Sequence, residues 1–448
     1  MQFAHQEKLL FTPVTPRPGA IPVIFAFPNT YRVGITSLGY QLIWANLASR
    51  EDIQVSRLFT DAQETLPKAP ELLGFSFSWE LDYVNILSLL EKLKIPVLAE
   101  ERMIDHPLIF GGGPVLTANP EPFAAFFDCI LLGDGENLLG DFLETYQSVR
   151  NGDRRQQLHQ LAQVPGIYVP SLYTVSYDGA EGVITRIEPK EQQIPPTVKK
   201  QTYRGNSLSA STVVTPQAAW ENIYMVEVVR SCPEMCRFCL ASYLTLPFRS
   251  ASLANGLIPA IERGLTVTDR LGLLGASVTQ HPEFEALLTY LSQPEYASVR
   301  LSLASVRTNT VTENLAELLA QRGTKSITIA IESGSERLRQ IVNKKLSNDE
   351  ILQAAINAKK GGLTGIKFYG MVGIPGETLE DLQATVALLT QVKKVASGLR
   401  LTLGCSTFVP KSHTPFQWFG VNPQAEKRLQ FYQKQLRPQG IDFRPESY

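Results

Sequence analysis

VRSCPEMCRFC, residues 229–239, carries three cysteines with the spacing CxxxCxxC. The stretch follows an apolar run, NIYMVEVV, that is typical of a buried β-strand. Three thiolates on one tight loop can bind three irons of a 4Fe–4S cubane and leave the fourth iron open to another ligand. The spacing therefore predicts that Cys232, Cys236 and Cys239 hold a 4Fe–4S cluster.

Other metal centres fit this loop less well. A structural zinc site needs a fourth protein ligand, and no cysteine or histidine follows at zinc-finger spacing. An electron-transfer ferredoxin usually supplies a fourth cysteine as well. The two remaining cysteines, Cys129 and Cys405, lie in apolar runs and are predicted to be buried small hydrophobic residues.

Regular alternation of apolar runs and amphipathic stretches continues downstream of the cysteines. Six strands separated by helices are too few for a closed eight-stranded barrel, so residues 222–420 are predicted to form a partial (β/α)6 barrel. Its active site is expected at the carboxyl ends of the strands. Residues 421–448 are polar and are predicted to form a helical extension. The strand candidates are NIYMVEVV, DRLGLLGAS, VRLSLASV, SITIAIES, GIKFYGMVG and LRLTLGCSTFV.

Residues 21–151 also alternate short apolar runs with amphipathic stretches, which predicts an α/β domain of the Rossmann-like, doubly wound type. Small and turn residues stand at four strand-to-helix junctions, where such sheets bind ligands. Glycine also permits tight turns without any ligand, but four such loops on one edge favour a ligand site. The loops are Asn29 to Gly39, Gly74 to Ser78, Gly111 to Pro114 and Gly133 to Glu136.

Composition limits the function classes. The 448 residues are 44% apolar and 19% charged, which is ordinary for a globular protein of two or three domains. The net charge of -1 supplies no general basic field, so a nucleic-acid partner is not indicated, although local basic patches stay open. Without a signal-like start or an 18-residue apolar run, a cytoplasmic protein without membrane association is expected. Residues 152–221 are predicted to form a hairpin and a linker.

The cysteine loop resembles the signature of the radical S-adenosylmethionine (SAM) superfamily, in which an aromatic residue precedes the last cysteine. Phe238 takes that position. The resemblance implies that the open iron chelates the amino and carboxylate groups of SAM. One electron then cleaves SAM to methionine and a 5′-deoxyadenosyl radical, which abstracts hydrogen from a substrate. An external one-electron reductant of the flavodoxin or ferredoxin type is implied as partner.

The resemblance also implies SAM-binding residues at the ends of the later strands. Gly275, Ala276 and Ser277 stand where the family has a glycine-rich motif for the SAM amino group, although they depart from the usual Gly-Gly-Glu. Ser305, Arg307 and Glu332 are similar to the polar residues that hold the carboxylate and ribose. Each can instead be a surface or capping residue.

The sequence GIPGE at residues 373–377 is similar to the turn that contacts the adenine of SAM in this family. Gly373 and Ile374 are its predicted contacts. The same residues also suit a helix entry, with proline and glutamate in favourable early positions, and the two interpretations are compatible.

A Rossmann-like domain ahead of such a barrel resembles the cobalamin-binding subclass of the superfamily. Its YxVGxxxLGxQ loop at 31–41 and FVPKxxTPFQW segment at 408–418 are similar to an uncharacterised branch. A DxHxxG motif that would place a histidine under cobalt is missing, and His106 precedes a strand and is not expected to be that ligand. The predicted cobalamin-contacting residues are Ser76, Ser78, Gly111, Gly112, Gly113, Gly133 and Gly135.

Three functions follow as hypotheses. The first is a radical SAM enzyme, a possible cobalamin-dependent methyltransferase, that methylates or rearranges an unactivated carbon. The second is a cobalamin-independent radical SAM enzyme, methylthiotransferase-like or peptide- or RNA-modifying, whose first domain recognises the substrate. The third is a non-catalytic iron–sulfur scaffold. Nothing in the sequence identifies the substrate.

Overall fold

A computed structural model describes residues 4–180, 182–303 and 306–446. The chain forms two compact units. The first comprises residues up to 204 together with 209–222, and the second comprises 205–208 together with 223 onwards. Each unit is described by itself.

The first unit is built on a six-stranded sheet with the order β3-β2-β4-β5-β6-β7. Its first five strands are parallel and β7 is antiparallel to β6. The central strands are apolar because both faces of the sheet are covered. The strands of this unit are β1 (Lys8–Leu9), β2 (Ile21–Ala26), β3 (Ile53–Leu58), β4 (Leu72–Ser76), β5 (Leu108–Gly112), β6 (Cys129–Leu131), β7 (Ile167–Tyr168), β8 (Tyr173–Tyr177), β9 (Ile184–Pro189) and β10 (Val213–Val214).

Helices follow the strands of this sheet, as the alternating pattern predicts. The hydroxyl of Ser37 caps one of them by accepting a hydrogen bond from the backbone amide of Tyr40. A continuous core of buried aliphatic and aromatic side chains fills the space between the helices and the sheet. The helices are α1 (Tyr31–Gly34), α2 (Leu38–Ala48), α3 (Tyr83–Lys92), α4 (Pro114–Ala118), α5 (Gly135–Val149) and α6 (Arg154–Leu161).

The first unit continues past the boundary predicted at Asn151. The predicted hairpin is present as β8 and β9, but α6 and β7 belong to the first unit and β10 pairs with β1. The interpretation of residues 152–221 as a hairpin and a linker is therefore corrected. Short apolar runs such as those of β7 and β10 are too brief to show a period in the sequence.

The second unit contains two parallel sheets, β11-β14-β15 and β16-β17-β18-β19. A parallel bridge between Val306 and Ile329 connects the region after β15 to β16. All six predicted strands are present. The strands are β11 (Tyr224–Glu227), β12 (Val229–Arg230), β13 (Arg249–Ser250), β14 (Arg270–Leu274), β15 (Arg300–Leu303), β16 (Ser326–Glu332), β17 (Gly365–Val372), β18 (Arg400–Thr407) and β19 (Asp442–Pro445).

Amphipathic helices separate the strands of the second unit. Ser347 and Glu350 form a capping box at the start of one helix, and Thr378 and Asp381 form another. Among the described residues, no helix has both the length and the apolar character needed to cross a bilayer. The helices are α7 (Leu240–Leu244), α8 (Ile258–Leu265), α9 (Phe284–Leu291), α10 (Glu313–Gln321), α11 (Glu336–Ile341), α12 (Asn348–Lys360), α13 (Leu379–Val395) and α14 (Ala425–Leu436).

The segment after residue 420 is not helical throughout, contrary to the prediction. Its helix α14 is followed by β19, which pairs in parallel with β18 as a seventh strand. Phe443 is the buried residue of β19, and its ring lies 6.1 Å from that of Tyr432 on α14. One buried side chain in four residues leaves too weak a pattern to predict a strand.

Candidate active site

The three predicted ligand cysteines lie on the loop between β12 and α7. Cys236 is buried, whereas Cys232 and Cys239 are half-buried. Two residues of the loop, Ser231 and Met235, have positive φ angles of 72° and 54°. Such angles are unfavourable for side chains other than glycine and persist only where the surroundings impose them. The loop therefore has a defined, strained conformation.

The end of α11 and the residues after it hold the loop in place. The backbone amide of Arg237 donates to the carbonyl of Val342 at 2.9 Å, and its guanidinium donates to the carbonyl of Ile341 at 2.6 Å. The Asn343 side chain donates to the carbonyl of Met235 at 2.9 Å. These bonds connect the loop to a segment that follows the fourth predicted strand.

An apolar cluster lies behind the last cysteine. Phe238, the predicted aromatic position, packs partly buried against this cluster. The backbone amide of Phe416 donates to the carbonyl of Arg237 at 3.1 Å, so the late segment 408–416 reaches the cysteine loop. Predicted adenine contact Ile374 is 1% exposed within the same cluster. The buried members are Leu338, Val342, Met371, Ile374, Phe408 and Phe416.

The donor set on the loop suits an iron–sulfur cubane. All three cysteines are free thiols on one short loop. Within the described ranges, no three His, Cys, Asp or Glu side chains converge to hold a single metal ion; a cubane does not need such convergence, because each thiolate binds a different iron. Burial raises the pKa of Cys236 to about 12, and metal coordination would deprotonate this thiol outright.

Gly275 is required by its backbone conformation. Its φ is 153°, and a Cβ atom there would lie 2.6 Å from the carbonyl oxygen of Val229, just before the cysteine loop. Ala276 next to it is exposed, and Ser277 is buried. The Ser277 hydroxyl donates to the side-chain oxygen of Gln280. Close packing alone thus accounts for the glycine, and the role of all three residues toward SAM stays a prediction.

Gln280 and Arg307 both bind Glu234, an acidic residue of the cysteine loop. The Gln280 amide donates to Glu234 at 2.6 Å, and the Arg307 guanidinium forms an ion pair with it at 2.9 Å. Arg307 also donates to the carbonyl of Lys345. Predicted SAM contact Arg307 therefore lies beside the loop, whereas Ser305 lies outside the described residues.

Glu332 ends β16 at an irregularity in the pairing with β17 and has a φ of 62°. Its carboxylate accepts a hydrogen bond from the Lys344 ammonium at 3.1 Å, and the two side chains are only 11% and 14% exposed. Burial alone would lower the pKa of Lys344, but the negative charge of Glu332 opposes this effect and the pKa is raised. A buried, protonated lysine thus stands between the carboxylate and the cysteine loop.

The GIPGE turn is fixed by its own glutamate. Gly373 has a φ of 76°, and its amide donates to Glu377 at 2.7 Å. The Glu377 side chain is fully buried and forms an ion pair with Arg428 of α14. Its second oxygen has no hydrogen-bond partner among the described residues. Burial raises the pKa of Glu377, although the amide of Gly373 and the charge of Arg428 oppose that rise.

The glycines predicted to contact cobalamin differ in the space around them. A Cβ on Gly111 would lie 2.5 Å from the Phe127 ring, and one on Gly113, whose φ is 116°, would lie 2.5 Å from the Phe77 carbonyl oxygen. Gly133 and Gly135 are likewise tightly packed, against Gln201 and Ile43. These four glycines serve the packing of the unit itself.

Gly112 is the exception. The atom nearest to a Cβ built on it lies 3.7 Å away, and its φ is not in the left-handed region. Ser76 pairs with Gly112 at the end of β4, and both Ser76 and Ser78 are half-buried. A side chain at Gly112 would therefore make ordinary van der Waals contact with Leu131 without a clash, so the carboxyl edge of the sheet has room at this position.

Exposed apolar side chains follow the end of β4. Trp79 is 60% exposed and Leu81 is 69% exposed. By contrast, His106 lies before β5, at the opposite end of that strand, where its Nδ1 accepts a hydrogen bond from the amide of Met103. That His106 is not a cobalt ligand stays a prediction.

Several residues around the cysteine loop were missed in the sequence. Glu234 lies between two of the cysteines, and Lys344 belongs to the basic run NKK after α11. Gln280 and Arg428 carry no pattern of their own and become visible only through their partners Glu234 and Glu377. Of these residues, Glu234 could have been noticed in the sequence, because a charged residue inside the cysteine loop is expected to need a partner of opposite charge.

Two protein-family models match the chain. The model for the N-terminal part of radical SAM proteins matches residues 42–170, and the model for the radical SAM superfamily matches residues 226–389. Together the matches cover well over half of the chain and include the cysteine loop. The chain belongs to the radical SAM superfamily. As a radical SAM enzyme it uses SAM and a 4Fe–4S cluster, which confirms the prediction of these two cofactors, and it needs an electron donor.

Relatives of this radical SAM enzyme include an uncharacterised protein of Methanocaldococcus jannaschii. It is 26% identical over 95% of the chain and 86% of its own length. A tRNA-2-methylthio-N(6)-dimethylallyladenosine synthase of Chlorobium phaeobacteroides is 26% identical over 58% of the chain and 61% of its own length. The first relative therefore spans both units.

Solved structures confirm the fold class of this radical SAM enzyme. The methyltransferase TsrM from Kitasatospora setae, with cobalamin and a 4Fe–4S cluster bound, superposes with a TM-score of 0.60 and 14% identity over 89% of the chain and 74% of its own. The cobalamin-dependent enzyme OxsB gives a TM-score of 0.53 and 14% identity over 83% of the chain and 52% of its own. At such identities the likeness shows the fold alone.

Proposed function

We propose that this radical SAM enzyme uses cobalamin, bound by its first unit, to methylate or rearrange an unactivated carbon. The room for a side chain at Gly112, where a Cβ would have its nearest neighbour at 3.7 Å, carries the proposal, because this position lies at the carboxyl edge of a parallel sheet, where such sheets bind ligands. The likeness of the fold to TsrM and OxsB, both of which hold cobalamin, supports it. Cobalamin would supply a cobalt centre able to carry a methyl group.

The residues of the second unit have separate tasks in this proposal. Cys232, Cys236 and Cys239 would hold the cluster, which when bound passes one electron to SAM. The ammonium of Lys344 and the carboxylate of Glu332 lie together and nearly buried, so the pair can bind groups of opposite charge on SAM. Phe238, which is partly buried, contributes apolar surface suited to the adenine, and Ile374 supports it from within the buried cluster.

The remaining predicted residues hold the cysteine loop and the GIPGE turn in position. Arg307 holds Glu234, and through it the cysteine loop. Gly373 and Glu377 fix the turn that carries Ile374. Their direct contacts with SAM remain proposals, as do those of Gly275 to Ser277. A cytoplasmic location is part of the proposal, because a reducing compartment keeps the three thiols free.

A second candidate is a cobalamin-independent radical SAM enzyme that modifies RNA or a peptide. It is favoured by the match to the tRNA-2-methylthio synthase, which covers 58% of the chain. In that case the first unit would recognise the substrate, and Gly112 would border part of it. The non-catalytic scaffold loses support, since the superfamily match covers the cysteine loop and the predicted SAM stations up to residue 389.

Reconstitution tests the choice between the two enzymatic proposals. Iron and sulfide are added anaerobically, followed by SAM and dithionite, with and without hydroxocobalamin. We expect 5′-deoxyadenosine in both cases, and cobalt retained in a one-to-one ratio after gel filtration only if the first unit binds cobalamin. Protein that forms 5′-deoxyadenosine but retains no cobalt would favour the second candidate.

A further inference from the structure

The outside of the cysteine loop carries an unusual combination of positive charge and exposed aromatic surface. We name it the basic–aromatic surface and define it by Arg237, Lys345, Lys411, His413, Trp418 and Phe419. Trp418 is 84% exposed and Phe419 is 48% exposed. Exposed aromatic side chains next to arginine are typical of protein interaction sites.

Hydrogen bonds of Arg237 join the three segments that carry this surface. The carbonyl of Arg237 accepts from the amide of Phe416, two residues before Trp418. The guanidinium of Arg237 donates to the carbonyls of Gln340 and Ile341, shortly before Lys345. These bonds therefore bring the backbones of the three segments together around Arg237.

The patch is basic although the chain as a whole has a net charge of -1. The segment 405–421 contains no acidic residue, and Lys345 in the segment 337–345 is exposed. The other basic side chains of that segment are not available to a partner, because Arg337 and Lys344 form ion pairs with Asp381 and Glu332 and Arg339 is buried. Glu234, the one carboxylate of the cysteine loop, is bound to Arg307 and Gln280. Arg237 bonds to neutral carbonyls, so its charge is available to a partner.

We infer that the basic–aromatic surface is the docking site of an acidic one-electron donor protein. Arg237 lies between two of the predicted cluster ligands, so a protein bound here approaches the cluster more closely than one bound elsewhere on the unit. Electron transfer slows steeply with distance, and charge complementarity speeds the encounter. A cluster held by the three cysteines would pass the donor's electron to the sulfonium of SAM, whose C–S bond would break to give methionine and the 5′-deoxyadenosyl radical.

A small patch suits this partner better than RNA. Weak electron-transfer complexes bury little surface, whereas binding to a phosphate backbone needs an extended basic field. The inference rests on reductive SAM cleavage and is independent of whether cobalamin is bound. RNA binding is an outcome that the experiment distinguishes.

The test compares two surface variants, Lys345→Glu and Trp418→Ala, with the control Lys325→Glu. Lys325 is exposed and directly precedes β16, at the opposite end of the strand from Glu332. Binding of flavodoxin to the reconstituted enzyme is measured by calorimetry, without turnover. We expect each surface variant to weaken binding about tenfold and the control to bind like the wild type.

Activity provides the second readout. With reduced flavodoxin, the concentration for half-maximal 5′-deoxyadenosine formation should rise about tenfold in both surface variants. With dithionite, which needs no docking site, their rates should equal that of the wild type. Flavodoxin binding that is unchanged in both variants would overturn the inference, as would loss of tRNA binding with flavodoxin-driven rates intact. Wild-type enzyme that is inactive with dithionite would count against SAM cleavage, while the calorimetry would still decide the docking site.

Discussion

Cys129 and Cys405 differ from the three loop cysteines in their surroundings. Both are fully buried within strands, Cys129 in β6 and Cys405 in β18. Burial raises the pKa of each thiol well above its ordinary value, as it does for Cys236. What distinguishes Cys129 and Cys405 is that each lies within a buried strand and has no second cysteine on its own segment with which to share a cluster. Their apolar sequence context was sufficient to predict this burial, whereas the assignment of Cys232, Cys236 and Cys239 as cluster ligands stays a prediction from their spacing.

Replacing Cys232, Cys236 and Cys239 together with alanine should abolish the visible iron–sulfur absorbance and 5′-deoxyadenosine formation. The reason is that no thiolate remains on the loop to bind iron. Iron content and absorbance after anaerobic reconstitution measure the effect. Cys129→Ala and Cys405→Ala are the controls and should keep both properties, whereas a full cluster in the triple variant would contradict the assignment of the ligands.

Glu332→Ala should leave the iron content intact but weaken SAM binding by about 1.5–3 kcal/mol, because a nearly buried, charged hydrogen-bond partner is lost. Equilibrium dialysis with SAM measures the affinity. Glu332→Gln keeps an acceptor for Lys344 and should lose less. Glu317→Ala, in an exposed position on α10, is the control. Unchanged SAM affinity in Glu332→Ala would show that Glu332 stabilises the end of β16 and does not bind SAM.

The partner of Glu332 could not be predicted from the sequence. Lys344 follows it by twelve residues, across all of α11. A residue's position at a strand end can be predicted from periodicity, but which side chain reaches it depends on the direction in which the intervening helix packs. The same limit applies to Arg428, which reaches Glu377 from α14.

Among the elements, the strands of the second unit could be predicted because buried parallel strands are continuous apolar runs. The glycines of the first unit show the opposite case. The sequence placed them correctly at the strand ends, yet four of the five are closely packed against the unit's own atoms, and Gly112 alone of the five has room for a side chain. Whether a glycine admits a ligand or a neighbouring backbone is a tertiary property that composition does not contain.

The ion pair between the GIPGE turn and α14 should be a major support of the second unit. Arg428→Met removes the charge opposite the fully buried carboxylate of Glu377, which should cost about 3–5 kcal/mol of stability. Urea unfolding, followed by a probe in the second unit, measures the loss. The double variant Glu377→Gln/Arg428→Met leaves no buried charge and should recover much of it.

The loss in Arg428→Met should also depend on pH. Burial raises the pKa of Glu377 in the folded protein, and Arg428 opposes that rise, so the variant should raise it further. A carboxyl whose folded-state pKa lies above its unfolded value stabilises the fold below the unfolded pKa, and this contribution is lost as pH rises through the folded pKa. The variant should therefore be closer to wild type at about pH 5 than at about pH 7.5. A loss independent of pH would contradict the role of the Glu377 charge.

In the proposed function, the chemistry of the molecule is divided between its two compact units. The buried core of the first unit contains residues from Ile21 to Ala218, and the cysteine loop belongs entirely to the second unit. Because each proposed cofactor site is built from one unit's own residues, loss of one cofactor should not unfold the site of the other. This separation makes the two proposals testable independently within one chain.

Gly112→Leu should eject cobalamin while the cluster and SAM cleavage persist. The fold tolerates a Cβ at this position, whose nearest neighbour would lie 3.7 Å away, so the leucine should fill ligand space rather than disrupt the sheet. Cobalt retained after gel filtration, iron content and 5′-deoxyadenosine are measured on the same sample. Gly140→Leu is a matched control, because a Cβ there meets no atom within 4 Å and the site lies within α5.

The triple cysteine variant should behave in the opposite way and retain cobalt without iron. If Gly112→Leu retains cobalamin like the wild type, the ligand does not occupy the carboxyl edge at β5; if it loses the cluster as well, the two sites are not separate.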